Sequence, residues 1–188
     1  MVPLTSLWLP ILLSAVLVFV ASSIIHMVLG YHRTDMGKLP SEKEDQLLDA
    51  LRRLNLAPGD YAAPHAGSAA GMNEPAFVAK ATKGPIAFMT LAPGGPPSMT
   101  SNLVLWFLYS IVVGLFSGYI AGRAVGPGAD YLTVFRFVGA TTFMGYAFAL
   151  PQQSIWFRKS WATTLRSVFD GLIYGLLTAG AFGWLWPR

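Results

Sequence analysis

The sequence predicts an all-α membrane protein: four transmembrane helices in one bundle, with a small mixed α/β extramembrane insertion between the first and the second. Three observations predict it. Apolar stretches occupy residues 7–30, 103–125, 131–150 and 162–184. Each approaches or exceeds the roughly 20 helical residues that cross a hydrocarbon core about 30 Å thick. Charged residues make up only 12% of the chain and hydrophobic ones 54%, whereas a soluble domain carries about 25% charged residues. All the remaining length of any size lies in one polar segment, residues 32–101. The expected organisation is therefore a first span within 1–31, an insertion over 32–101, and three further spans within 102–188 that join the first in one membrane domain.

The first apolar stretch reads as an uncleaved anchor. No Lys or Arg precedes it, it is longer than a signal-peptide core, and positive charge follows it. Ala21-Ser22-Ser23 is the small-residue run at which a cleavage reading would have to place its site. Ser41-Glu42-Lys43-Glu44 then has the spacing of a capping box, in which the Ser hydroxyl and the Glu carboxylate satisfy free backbone N–H groups. Leu47, Leu48, Leu51 and Leu54 follow on one helical face, and Pro58-Gly59 stops the helix. Residues 61–71, rich in Ala, Pro and Gly, are expected to be irregular. Asn73-Glu74-Pro75 opens a second short helix with Asn as cap and Pro in the first turn, and Lys83-Gly84 ends it. Residues 85–91 read as a short strand, with an interfacial segment as the alternative, and Pro93-Gly94-Gly95-Pro96-Pro97 as a rigid lead into the second span. Elements this few bury little, so the insertion is expected to rest on the membrane surface or on the bundle.

The second and third spans are joined only by residues 126–130, which makes them antiparallel neighbours. Pro151 should kink or end the third, because it lacks an N–H and clashes with the preceding turn. Orientation follows from basic residues. One side of a four-span chain carries Arg33, Lys38, Lys43, Arg52, Arg53, Lys80, Lys83, Arg158 and Lys159, while the other carries Arg123 and Arg188. Positive charge stays inside, so the insertion is cytoplasmic and both termini are outside. Trp8, Trp106, Trp156, Trp161, Trp184 and Trp186 all fall near predicted span ends, the headgroup level that indole prefers.

Gly114, Gly118 and Gly122 recur every four residues in the second span, with Gly126 continuing the series. Gly171, Gly175, Ala179 and Gly183 do so in the fourth, and Thr141, Gly145 and Ala149 form a weaker series in the third. Positions i and i+4 share a helix face. A face without side chains admits another backbone, and close packing is what holds helices together in lipid. The plain reading is packing within one chain. The sharper reading is a homo-oligomeric interface or a pore lined by one such face.

Charge at membrane depth is costly and points to function. Asp170 lies inside the fourth stretch with Arg166 four residues before it, so an i,i+4 ion pair is the simplest expectation. Arg136 lies one to two turns into the third stretch from the outer side, where snorkelling outward is the plain reading. Gln152 and Gln153 follow Pro151 and are candidates to line a polar cavity. Trp156-Phe157-Arg158-Lys159-Ser160-Trp161 reads as an anchor to anionic headgroups. On one continuous helix, His26 and His32 would sit about 240° apart and would not share a face; the plain reading of His26 is a hydrogen-bonded bundle histidine, and the sharper one a ligand that acts with a residue of another helix. His65 has no acidic or cysteine neighbour at ligand spacing.

No cysteine is present, which excludes disulfides, thiolate metal sites and cysteine nucleophiles. A net charge of +4 without a dense basic face is no nucleic-acid footprint. Gly37-Lys38 lacks the glycine and Ser/Thr of a phosphate loop, and neither a Gly-x-Ser-x-Gly elbow nor a His-Glu-x-x-His helix occurs. The sequence thus predicts no catalytic residue, no metal and no cofactor.

Tyr31-His32-Arg33, Leu56-Ala57-Pro58-Gly59-Asp60-Tyr61, Lys83-Gly84-Pro85 and Gly94-Gly95-Pro96-Pro97 precede a Leu-Trp-Phe-Leu-Tyr span. In that order they resemble a group of bacterial four-span membrane proteins of uncharacterised activity. The resemblance covers most of the chain and implies a bacterial cytoplasmic membrane. It implies no activity, ligand or catalytic residue. The expected role is a structural or accessory membrane component packed through its glycine faces, with the lipid bilayer and a homo-oligomer or larger membrane complex as partners. The alternative is a small oligomeric transporter or channel that uses Asp170 and Arg136.

Overall fold

In a computed structural model, residues 1–96 and 98–188 are described. Pro97, the last residue of the expected Pro/Gly lead, lies outside them. The chain divides into two compact units, Met1–Met36 with Ser98–Arg188, and Gly37–Pro97.

The first unit is helical. A 3-10 turn, Leu4–Leu7, leads into α1 (Trp8–Ile24), which loosens into a π turn at Ile25–Leu29. α4 (Met99–Ala124), α5 (Tyr131–Ala147), the short α6 (Pro151–Phe157) and α7 (Trp161–Trp184) follow. Three segments are long and apolar enough to cross a membrane: Leu4–Leu29, Met99–Ala124 and Tyr131–Phe157. α7 falls outside that group. Its sequence is diluted by Thr163, Thr164, Asp170 and Thr178, and all four are buried against neighbouring helices.

Helix neighbours alternate in direction. Gly114 of α4 meets Ser14 and Ile11 of α1, while Gly122 meets the Val2 carbonyl. Gly145 of α5 meets Val113 of α4. Gly171 and Gly175 of α7 meet Ala147 and Phe143 of α5. α5 with α7 is the most extensive helix pair, and α1 lies against both α4 and α7. One apolar cluster fills the end that holds Leu7, Ile11, Ala121, Val134, Val138 and Phe182. A second, around Val18, Ile25 and Tyr174, fills the other end. Between them Ser117 and Thr142 join hydroxyls at 2.8 Å across α4 and α5, which satisfies two polar groups that burial would otherwise penalise.

Pro151 behaves as its chemistry requires. α5 stops at Ala147, and the proline occupies the first turn of α6, where a missing N–H costs nothing. Trp106 has a partner inside the bundle. It sits two turns inside α4, half-buried, where its indole donates to the Ser22 hydroxyl at 2.8 Å and packs beside Tyr174 and Tyr146.

The second unit holds α2 (Ser41–Leu54), β1 (Gly59–Ala63), α3 (Pro75–Lys83) and β2 (Ala87–Leu91). The strands pair antiparallel, with Gly59 opposite Leu91 and Ala63 opposite Ala87. β1 replaces the start of the stretch expected to be irregular: its backbone is claimed by β2, a long-range pairing that Gly-Asp-Tyr-Ala-Ala does not advertise. Ser41 lies inside α2 and not at its cap; Pro40 holds the cap position and no side chain closes the end. Glu42 and Glu44 in the first turn and Arg52 and Arg53 in the last complement the helix dipole instead. The leucine face of α2 stays unburied, with Leu47, Leu48 and Leu54 exposed. α3 takes Glu74 as its N-cap, with Pro75 in the first turn.

Candidate functional site

At the end of the bundle where α1 leaves it, charged and aromatic groups converge on Asp170. The sequence makes this possible through Gly30. Its φ of +68° lies in the left-handed region that favours glycine, and it closes the π turn. Two successive turns follow, from Arg33 N–H to the Gly30 carbonyl (3.1 Å) and from Asp35 N–H to the His32 carbonyl (3.0 Å). They bring Tyr31, His32 and Asp35 to α7. On α7, Gly171 lets α5 approach until a Cβ there would lie 3.0 Å from that of Ala147. Asp170 is consequently only 3% exposed.

The Tyr31 hydroxyl donates to one Asp170 oxygen. His32 Nε2 lies 2.8 Å from the other, and His32 Nδ1 lies 2.6 Å from Asp35 Oδ2. Arg166 donates to Asp35 Oδ1 and to the Thr34 hydroxyl, both at 2.8 Å. His32 bridges the two carboxylates, one through each ring nitrogen. Burial pushes the Tyr31 hydroxyl's pKa up, and its hydrogen bond to Asp170 pushes it further. Burial opposes ionisation of Asp35, yet the hydrogen bonds from His32 and Arg166 outweigh it and hold that carboxyl below its ordinary range. The expected Arg166–Asp170 pair is thus replaced by a chain, Arg166–Asp35–His32–Asp170.

The histidine expectation is corrected as well. His26 and His32 have ring centroids 4.5 Å apart. A 240° separation belongs to an unbroken α-helix; here the π turn and the reversal at Gly30 break the helix between the two residues. His26, His32 and Asp170 each offer a ligand atom, all within 4.8 Å of one another. One turn beyond Asp170, Tyr174 buries a hydroxyl without a hydrogen-bond partner among the described residues, beside Trp106 and Tyr146.

The other singled-out residues lie elsewhere. Arg136 is an exposed residue of α5, between Tyr131 and Gly139, which meet Gly183 and Ala179 toward the far end of α7. Gln152 is exposed at the start of α6. Neither joins the Asp170 cluster. His65 accepts from the Gly67 N–H at 3.2 Å within its own loop. Within the helices the glycine positions fill from the same chain, Gly118 against Phe182 and Leu7 and Gly183 against the Tyr131 ring; Gly126, beyond the end of α4, meets nothing within 4 Å. Sequence reading missed Tyr31 and Asp35 as site residues. The available signal was a glycine directly after an apolar run, followed by a Tyr-His-Arg-Thr-Asp stretch.

Comparison with protein-family models, curated proteins and solved structures found no match.

Proposed function

We propose that this is a four-span integral protein of the bacterial cytoplasmic membrane, a non-catalytic accessory component that holds a ligand or partner group at the Asp170 centre and is not a conduit. The observation that carries this reading is the filling of the glycine faces by groups of the same chain. Ser14, Leu7, Phe182, Val2, Phe143 and Tyr131 occupy the positions that a second copy or a pore would need.

The fourth span is supported by the outer face of α7. Leu165, Phe169, Leu172 and Leu176 form an exposed apolar stripe, while Thr163, Thr164, Asp170 and Thr178 turn inward. A helix that hides its polar groups in protein can meet lipid with the rest of its surface. The 24 residues of α7 span about 36 Å at 1.5 Å per residue. The basic side argues for a cytoplasmic Gly37–Pro97 unit and outer termini.

Reconstituted vesicles test the role. Proton, sodium, potassium and chloride flux should match that of empty vesicles, for wild type and Asp170→Asn alike. A flux that Asp170→Asn abolishes overturns the accessory reading in favour of a transporter. The absence of native cysteine allows single-cysteine labelling to test topology: Lys38→Cys and Lys159→Cys should react from the cytoplasmic side, and Gly128→Cys from the outer side.

A further inference from the structure

We infer that His26, His32 and Asp170 form a binding site for a divalent first-row transition metal. The inference rests on the binding reading above and names the ligand class of that centre. Two imidazoles and one carboxylate within 4.8 Å are the donor set that suits zinc, iron, cobalt or nickel; calcium and magnesium want oxygen alone. Around a tetrahedral ion with bonds of about 2.0–2.1 Å, ligand atoms stand about 3.3 Å apart. The cluster therefore has to contract by at most about 1.5 Å. His26 can supply that movement: it is exposed, lies on the π turn, and makes no hydrogen bond or ion pair among the described residues.

The surrounding groups are those a metal-bound histidine and carboxylate need. A ligating imidazole usually hands its other nitrogen to a carboxylate, which fixes the ring and raises its basicity. Asp35 does this at His32 Nδ1, and Arg166 holds Asp35 in turn. Nε2 is thereby aimed at Asp170, whose other oxygen accepts from Tyr31. His32 Nε2 and an Asp170 oxygen, 2.8 Å apart, would be the ligand atoms these two residues offer the ion. Three protein ligands leave a coordination position for water.

The test uses the full-length, tag-free protein in detergent, stripped with chelator and titrated with zinc ion. Wild type should bind one zinc per chain, and calcium should not compete. His26→Ala should lose stoichiometric binding. It is the informative variant, because this side chain supports little else in the fold. Asp35→Asn acts through His32 and should keep the stoichiometry while weakening affinity about 10- to 100-fold. Wild type that takes up no stoichiometric zinc overturns the inference, as does His26→Ala that binds like wild type. The vesicle assay reads separately: absent zinc with absent flux removes only the metal, while bound zinc with Asp170-dependent flux removes only the accessory role.

Discussion

Gly122→Ala should destabilise the bundle, even though alanine is the better helix former. Replacing an interior helical glycine by alanine is worth about 1 kcal/mol on propensity alone. At Gly122 the added methyl would lie 2.6 Å from the Val2 carbonyl oxygen, a backbone atom that cannot rotate away. The contact is reinforced by the Val2 N–H, which donates to the Gly122 carbonyl at 2.8 Å. Overpacking costs about 1–3 kcal/mol, and losing that hydrogen bond adds about 1 kcal/mol. Subtracting the propensity gain leaves a net loss of about 1–3 kcal/mol. Gly126→Ala is the matched control: it extends the same four-residue series but meets nothing within 4 Å, so its effect should stay within about 0.5 kcal/mol. Reversible unfolding in mixed micelles, followed by tryptophan fluorescence, measures both. Equal stabilities for the two variants, or a gain for Gly122→Ala, would refute the claim that close contact, and not glycine spacing itself, matters here.

Two further outcomes are expected. A double-mutant cycle on Ser117→Ala and Thr142→Val should give a coupling of about 0.6 kcal/mol, and no more than about 2 kcal/mol, as is usual for interhelical hydrogen bonds in membranes; zero coupling would mean that the 2.8 Å contact is not maintained in solution. Asp130 caps α5 through the Thr133 hydroxyl and N–H, which hold its carboxyl below its ordinary value of 3.8. The cap's contribution is therefore present above that value and fades as pH falls through the lower folded one, so wild type should lose more stability than Asp130→Asn between pH 5 and 3 in micellar unfolding scans.

What the sequence revealed depended on whether the controlling contact was local. Apolar runs disclosed α1, α4 and α5 because lipid selects on length and hydropathy, which are properties of consecutive residues. α7 was harder, since its suitability depends on which face Thr163, Thr164 and Thr178 take. Asp170 stood out as a charge in an apolar helix. Its partners did not, because Tyr31 and His32 reach it across 139 and 138 residues, and no periodicity encodes such a meeting. The Arg166 pairing failed for the same reason: a distant Asp35 outbids a neighbour on the same helix. β1 was missed because its partner strand, not its own composition, makes it a strand.

The position of α7 also has a consequence for how the molecule is made. α7 comes after α1, α4 and α5 in the chain, so the ribosome delivers it later than the helices that pack against it. Until Asp170 emerges, His32 has only Asp35 as a carboxylate partner, the Tyr31 hydroxyl lacks its acceptor, and Arg166 is not yet there to balance Asp35. A nascent chain halted before α7 would therefore hold three apolar helices with an unbalanced polar rim. Such an intermediate is the species a membrane insertase or a quality-control protease would meet.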